Sequence, residues 1–345
     1  MGTVTQAPPA TSTLLSVEDL RTYFYTSDGV SRAVDGVSFQ VPRGKTLGIV
    51  GESGCGKSVT AMTILRLIPE PPGKVVSGRL LFNDQNLLDL RPREMRRIRG
   101  NKISMIFQEP MTSLNPVFTI GEQIAEVFRL HRGMGRREAW DNAVRMLDIV
   151  RIPAPRQRVG EYPHQLSGGM RQRAMIAMAL ACDPELLIAD EPTTALDVTV
   201  QAQILQLMED LKTKFDSSIM MITHDLGVIA EICDEVVVMY AGQIVEHAGV
   251  HSLFANPRHP YTQGLLQSIP KLSEIRENRK LEPIRGNVPD PTHHPAGCRF
   301  HPRCPHVRDE CKAAPVAMRL AAAGHQARCV LVDGEALPEN PAPTA

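Results

Sequence analysis

The segment Gly51–Ser58, GESGCGKS, constrains the fold of this chain more than any other feature. It has the spacing G-x-x-x-x-G-K-S, follows the apolar run Leu47–Val50, and precedes a stretch, Ser58–Ile68, that favours a helix. Glycines let the backbone wrap around a phosphate, and the amides that begin the helix face anionic oxygens. A chance glycine-rich turn is not expected to combine these features, so the segment predicts a nucleotide-binding loop.

Individual roles in this loop follow from side-chain chemistry. Lys57 is expected to reach the β- and γ-phosphates, and Ser58 is expected to offer its hydroxyl to Mg²⁺. The remaining positions predicted to contact the nucleotide are Gly51, Glu52, Ser53, Gly54, Cys55, Gly56 and Val59. A thiol near a helix N-terminus can be unusually acidic, so we also expect Cys55 to react with alkylating agents unless ATP is bound.

Two patterns of apolar residues, one continuous and one alternating, predict two kinds of sheet. The near-continuous apolar runs Leu47–Val50, Leu186–Ala189 and Ile219–Ile222 are typical of parallel strands buried on both faces. Residues 15–41 alternate instead and are interrupted by Asp28-Gly29 and Asp35-Gly36, which predicts antiparallel hairpins. The predicted fold class is α/β, with a RecA-like P-loop NTPase core and an antiparallel β subdomain.

Two carboxylates, Asp190 and Glu191, directly follow the run Leu186–Ala189. An isolated Asp-Glu pair commonly ends a strand in solvent, but the carboxyl edge of a central strand beside a phosphate loop is where ligands collect in α/β proteins. Asp190 is expected to hold Mg²⁺ through water, and Glu191 to polarise the attacking water as general base. Loop and carboxylates together predict an ATPase or GTPase.

Composition and the pattern of residue types along the chain indicate the domain boundaries and exclude some classes of protein. The chain has 38 basic and 38 acidic residues, which gives no overall electrostatic reason to expect nucleic acid as a partner. No apolar run approaches 18 residues, so no membrane span is expected and the chain is predicted to be cytosolic. The expected units are a tail (1–13), a nucleotide-binding domain (14–255) with a helical subdomain at about 109–181, a Pro-rich and Cys-rich C-terminal extension (256–330) and a second tail (331–345).

The segment Leu166–Arg173, LSGGMRQR, indicates which class of ATPase or GTPase the chain belongs to. With the preceding motifs it resembles the signature of ABC ATPases, a family with a helical ABC-specific subdomain. The resemblance implies that Ser167, Gly168 and Gly169 contact the γ-phosphate of ATP held by the opposite subunit. A helix N-terminus with a serine hydroxyl and glycine amides suits an anion. Each chain is therefore expected to supply half of each of two ATP sites.

Further positions match the ABC family by their order in the chain. By resemblance, Gln108 joins the Mg²⁺ shell and senses the membrane partner, Asp197 lies across the dimer contact, and His224 bonds the γ-phosphate and orients the catalytic water. A neutral histidine at a strand end can also be purely structural. An upstream aromatic residue stacks on adenine in this family; spacing places it at Phe24, with Tyr23 and Tyr25 as alternatives.

Two longer segments, FQEPMTSLNP at 107–116 and NPRHPYTQGLL at 256–266, resemble the oligopeptide/dipeptide (peptide/nickel) importer subfamily. The run Val59–Met62 favours its D-type subunit, usually paired with a non-identical F-type ATPase. The resemblance implies two integral membrane permease subunits, an extracytoplasmic solute-binding protein acting indirectly, and a peripheral position on the cytoplasmic face of the inner membrane. Nickel or another small solute, and a non-transport ABC role, are the alternatives.

Force transfer to separate permeases requires a contact surface, expected near residues 108–118. Met111, Leu114, Val117 and Phe118 are candidates to line it, although the same apolar residues can also pack the helical insertion against the sheet.

Four of the seven cysteines, Cys298, Cys304, Cys311 and Cys329, lie within 32 residues of the extension. Four thiolates match the ligand count of a [4Fe–4S] cluster or of tetrahedral zinc, and unligated reduced cysteines are a third possibility. The segment 297–305, GCRFHPRCP, resembles the C-terminal region of peptide-importer ATPases, some of which carry an iron–sulfur cluster, which favours the cluster over Zn²⁺. Its expected role is a structural staple, with redox sensing as the alternative.

Overall fold

The computed structural model describes residues 12–108, 113–194, 196–269 and 283–334. Its larger sheet has the strand order β11-β12-β10-β9-β3-β8-β7-β6. The strands of this sheet are β3 (Thr46–Val50), β6 (Ile103–Ile106), β7 (Leu186–Asp190), β8 (Ser218–Ile222), β9 (Glu235–Tyr240), β10 (Gln243–Gly249), β11 (Arg319–Ala322) and β12 (His325–Ala327). The pairs from β9 to β6 are parallel, so the three apolar runs do form a buried parallel sheet, as predicted.

A second, antiparallel sheet has the order β2-β1-β4-β5. Its strands are β1 (Thr13–Thr26), β2 (Gly29–Pro42), β4 (Gly73–Phe82) and β5 (Gln85–Asn86). The hairpin expected at Asp28-Gly29 joins β1 to β2. The second hairpin, expected at Asp35-Gly36, was wrong: the ladder slips between the pairs Leu20–Val37 and Arg21–Asp35, and Gly36, with φ of +79°, forms a bulge inside β2.

The helices lie mainly between the strands of the parallel sheet. Their bounds are α1 (Lys57–Ile64), α2 (Pro92–Ile98), α3 (Ile120–Arg132), α4 (Arg136–Ile149), α5 (Pro155–Arg158), α6 (Gly168–Leu180), α7 (Val198–Phe215), α8 (Leu226–Ile232), α9 (Val250–Ala255), α10 (Pro260–Gln267) and α11 (Glu310–Ala313). Helix α1 is shorter than the predicted Ser58–Ile68. Within the described ranges, none of the helices is both long and apolar enough to cross a membrane.

The insertion between β6 and β7 is helical, as its apolar spacing predicts. Helix α3 begins with a capping box in which Thr119 and Glu122 satisfy each other's backbone amides, and it ends at Gly133 in the left-handed conformation. Helices α3, α4 and α6 pack together through apolar residues such as Ile124, Ala143 and Ala174, each 1% exposed or less. This packing fixes the position of the N-terminus of α6.

The chain beyond α10 returns to the larger sheet. Strand β12 pairs antiparallel with β10, and β11 pairs with β12, so the extension adds two strands to one edge of the ATPase core. Phe300 is 2% exposed and contacts the rings of Tyr240 and Tyr261. The extension therefore shares a hydrophobic core with β9 and α10.

Candidate nucleotide-binding site

The loop between β3 and α1 is held in a shape that only glycine permits at two positions. A Cβ at Gly51 would collide with the carbonyl oxygen of Met239, and one at Gly56 would collide with that of Ala33. Gly56 also has φ of +105°, in the left-handed region, directly before α1. The loop is therefore a backbone cradle, as the motif predicts.

Lys57 lies inside this cradle and is 6% exposed. Its ammonium group donates to the carbonyl oxygens of Gly51, at 2.7 Å, and Glu52, at 3.1 Å. A buried lysine held by two neutral carbonyls and the Cys55 thiol is a positive charge without a carboxylate partner within ion-pair distance, among the described residues. An anionic ligand in the cradle would supply that partner.

Ser58 and Asp190 meet at the carboxyl end of β7. The Ser58 hydroxyl donates to Asp190 Oδ1 at 3.1 Å, and Asp190 is 3% exposed. Burial raises the pKa of Asp190, the neighbouring Glu191 carboxylate raises it further, and the hydrogen bond from Ser58 and the charge of Lys57 oppose these effects. A hydroxyl and a destabilised carboxylate side by side are the oxygen donors that suit Mg²⁺.

Glu191 gathers three polar side chains around its carboxylate. Gln108 donates to Glu191 Oε2 at 3.1 Å, Thr194 donates to the same oxygen at 2.9 Å, and His224 Nδ1 lies 3.3 Å from Oε1. The residue has φ of +46°, and its N–H donates to Ile222 O on β8 at 2.8 Å. The backbone conformation is unusual for a non-glycine residue and is typical of functional positions.

The signature residues lie at the start of α6. Ser167 is the N-cap of this helix and accepts a hydrogen bond from Met170 N–H at 3.3 Å; Ser167 and Gly168 are exposed. Asp197 caps α7 in the same way, accepting from Val200 N–H at 3.0 Å, and is also exposed. Gly169 packs so near Val200 that a Cβ would lie 2.9 Å from its Cγ1. Both helix N-termini are therefore open to a ligand or partner.

The three aromatic residues proposed for adenine have different environments. The hydroxyl of Tyr23 donates to the buried Asp35 at 2.7 Å, and Tyr25 is 49% exposed. Phe24 is half-buried and shares a face of β1 with Thr22, whose hydroxyl contacts Thr63 of α1 at 3.1 Å. Phe24 therefore faces the helix that follows the phosphate loop.

The expectation that Cys55 is acidic was wrong. The side chain is 1% exposed, and burial raises the pKa of its thiol; Lys57, whose ammonium lies 3.8 Å from the sulfur, only partly offsets this effect. A protonated, enclosed thiol is a poor nucleophile, so the expected alkylation loses its basis. Cys55 instead fills space beneath Gly51.

The residues expected to contact a permease differ in their exposure. Leu114 is 2% exposed and packs in the core, which agrees with the alternative that these residues pack the insertion. Val117 and Phe118 are 70% and 49% exposed, and Phe118 borders a cleft of about 320 Å³ with Glu122 and Trp140. Met111 lies outside the described residues.

The four cysteines of the extension, Cys298, Cys304, Cys311 and Cys329, line a single cavity of about 10 Å³. The Cys298 amide donates to Cys311 O at 2.8 Å, which joins the two segments that carry these thiols. However, within the ranges that the structure describes, no three His, Cys, Asp or Glu side chains are grouped as metal ligands. The four residues border the same cavity, but the predicted metal site is not formed in this arrangement.

Sequence reasoning missed three residues that contact the site from the extension or its approach. The Tyr261 hydroxyl accepts from the Glu52 amide at 2.9 Å, and Arg303 forms a two-point ion pair with the Glu52 carboxylate. Arg299 binds Asp35, which also holds Tyr23. These contacts join positions more than 200 residues apart, and no motif spacing signals them.

The fold and this site define a P-loop ATPase of the ABC class. The family described as "ABC transporter" matches residues 34–194, and that described as "Oligopeptide/dipeptide transporter, C-terminal region" matches residues 245–311. Among solved structures, a dimeric ATP-binding cassette in a post-hydrolysis state with ADP and phosphate is 26% identical, with a TM-score of 0.62 over 68% of this chain and 98% of that one.

Relatives with much higher identity extend over nearly the whole chain. A probable peptide ABC transporter ATP-binding protein of Sinorhizobium fredii is 55% identical, over 94% of this chain and 96% of that protein. The oligopeptide transport ATP-binding proteins AppD of Bacillus subtilis and OppD of Salmonella typhimurium are each 52% identical, over 94% and 91% of this chain and 98% and 92% of theirs. The chain belongs to the ATP-binding proteins of the oligopeptide/dipeptide ABC transporter family, and it is an ATPase coupled to transport.

Proposed function

We propose that this chain binds and hydrolyses ATP to power the import of di- and oligopeptides through separate permease subunits. The observation that carries the proposal is the arrangement at the ends of β7 and β8, where Glu191 is held by Gln108, Thr194 and His224 beside the Ser58–Asp190 pair. The names of the relatives favour peptides over nickel or another small solute, and nearly full-length similarity argues against a non-transport role.

The residues present fit ATP and Mg²⁺. The glycine-shaped cradle and the buried ammonium of Lys57 suit phosphates, while Ser58, Asp190 and Gln108 offer oxygen donors for the metal. The metal would neutralise charge on the phosphates. Phe24 would stack on adenine, since it faces α1 and Tyr23 is occupied by Asp35.

The catalytic proton transfer is assigned to Glu191. Its carboxylate is 15% exposed, and Gln108 and Thr194 orient one oxygen, which leaves the other facing His224. Glu191 would accept a proton from the attacking water as general base, and His224 would position that water and the γ-phosphate. The 65% exposure of the His224 side chain leaves it accessible to a nucleotide.

The exposed helix N-termini of α6 and α7 are suited to contact with a second ATPase. Ser167, Gly168 and Gly169 would contact ATP held by the opposite subunit, and Asp197 would lie at the contact. An ATP-binding subunit of this transporter family acts with a partner ATPase and membrane permeases. We assign the partner to a non-identical F-type subunit, this chain to the D type, and the assembly to the cytoplasmic face of the inner membrane, with a solute-binding protein outside.

Transport tests the proposal directly. The chain, co-expressed with candidate permease subunits and a candidate partner ATPase, is expected to co-purify with them and to drive ATP-dependent uptake of a labelled oligopeptide into vesicles supplied with a binding protein. Ni²⁺ uptake under the same conditions is the matched comparison. Uptake of Ni²⁺ but not peptide, or a complex lacking integral membrane subunits, would contradict the proposed substrate or role.

We further propose that the four-cysteine cavity holds a [4Fe–4S] cluster, with Zn²⁺ as the competing ligand. Support comes from the placement of Cys298, Cys304, Cys311 and Cys329 around one cavity. The cysteine side chains would have to rearrange to admit a cluster, because the cavity has room for about one water. A cluster there would cross-link and stabilise a segment that is poor in apolar residues.

Metal analysis of anaerobically purified protein distinguishes these outcomes. We expect about four iron and four sulfide per chain, as a [4Fe–4S] cluster requires, and loss of both in Cys304→Ser. Cys182→Ser, which alters a buried cysteine outside the cavity, is the matched control. Stoichiometric zinc without sulfide, or no metal at all, would exclude the cluster.

A further inference from the structure

Arg303 contacts the phosphate loop through a two-point ion pair with Glu52. Its Nη1 and Nη2 lie 2.6 and 3.0 Å from the two carboxylate oxygens of Glu52, and its side chain is 4% exposed. The remaining donors reach the Tyr240 hydroxyl and the carbonyl oxygens of residues 284 and 285. Two-point pairing in a buried setting fixes both orientation and position.

The partner of this arginine is part of the nucleotide cradle. Glu52 is the second residue of the loop, and its carbonyl accepts from the Lys57 ammonium at 3.1 Å. Its amide donates to the Tyr261 hydroxyl at 2.9 Å, while its carboxylate binds Arg303. One loop residue is therefore held through all three of its polar groups, two of them by residues beyond β10.

The charge of Glu52 is unfavourable for the ligand that this loop binds. An unpaired carboxylate in the cradle would repel phosphate oxygens and would compete with them for Lys57. Arg303 neutralises that carboxylate from the side of the extension, where its guanidinium also lies over the rings of Tyr240 and Phe300, 5.8 and 5.9 Å from their centroids. The arginine thus combines charge compensation with a rigid attachment.

We infer that Arg303 is a positioning residue for ATP binding: it neutralises Glu52 and holds the first turn of the phosphate loop, so that the cysteine-bearing extension sets the affinity for nucleotide. The inference rests on the proposed nucleotide site. It gives the segment 298–304 a part in the ATPase cycle, because Cys304 directly follows Arg303 and Cys298 lies five residues before it.

The test is a double-mutant cycle read as KM for ATP and kcat. Arg303→Ala is expected to raise KM about tenfold, as the loss of one nearby compensating charge predicts, with a much smaller change in kcat. The double variant Glu52→Gln/Arg303→Ala also removes the Glu52 carboxylate that Arg303→Ala leaves unpaired. Its KM is expected to return to within about threefold of the parent value, because no repulsive carboxylate remains. Glu52→Gln alone completes the cycle and separates loss of the carboxylate from loss of the guanidinium.

Arg328→Ala is the matched control for a loosened extension. Arg328 donates to the Ile244 carbonyl of β10 and to the Val316 carbonyl within the extension, so its loss is expected to lower the thermal unfolding midpoint without raising KM. Equal KM in Arg303→Ala and the parent protein would overturn the inference, and so would a raised KM that Glu52→Gln fails to rescue. Retained ATP binding in Lys57→Ala would instead overturn the nucleotide site itself.

Discussion

Replacement of Glu191 by glutamine is expected to lower kcat for ATP hydrolysis by about 10²–10⁴-fold, the range typical of a lost general base. Glutamine keeps the size and the hydrogen bonds of the side chain, so the contacts with Gln108 and His224 can persist while proton acceptance is lost. ATP affinity should therefore change little, and the protein should accumulate as an ATP-bound closed dimer. Phosphate release and size-exclusion chromatography with ATP measure the two effects.

The matched control is Glu231→Gln, which removes an exposed carboxylate on α8 away from the site. This variant should hydrolyse ATP at the parent rate. Retained hydrolysis in Glu191→Gln would remove Glu191 from the role of base. A loss of ATP binding together with turnover would indicate that the carboxylate supports the fold of the site instead.

Replacement of Lys57 by alanine is expected to weaken ATP binding by about 100-fold, which corresponds to about 3 kcal/mol and lies within the range for truncating one buried partner of a charge pair. The ammonium group is 6% exposed and lies among loop carbonyls, so no neighbouring cation can replace it without rearrangement of the loop. Binding of a fluorescent ATP analogue to the purified protein measures this loss independently of turnover.

Lys214→Ala provides the control for this change, because Lys214 is exposed at the end of α7 and contacts Phe215. Its ATP affinity should equal that of the parent protein. Unfolding midpoints of the two variants separate loss of ligand contact from loss of the fold. Unchanged affinity in Lys57→Ala would contradict the assignment of Gly51–Ser58 as the phosphate loop.

Local patterns were sufficient to predict the central sheet and the loop beside it. The runs around Leu47, Leu187 and Met220 are buried on both faces, which requires continuous apolar sequence and so can be recognised without a structure. Gly51 and Gly56 were also predicted, from the spacing of the loop motif. The structure gives the physical reason for both, because backbone atoms leave no room for a Cβ at either position. Sequence reasoning works where one segment carries the whole constraint.

Features that depend on distant segments could not be predicted in this way. The acidity expected for Cys55 came from its position before a helix, whereas burial raises the pKa of its thiol. Gly36 was interpreted as a turn because a bulge has the same local residues and differs only in its cross-strand partner. The Arg303–Glu52 pair spans 251 positions, and neither residue type nor spacing indicates it.

The addition of β12 to β10 affects how the chain avoids self-association. Without β12, the backbone amides and carbonyls along one side of β10 would form an unpaired edge that can recruit a strand from another molecule. The new edge, β11, has only four residues and includes Arg319, a charged residue in an extended strand. The extension therefore shields the motor domain from edge-to-edge aggregation, and a chain shortened before His325 would lose that protection.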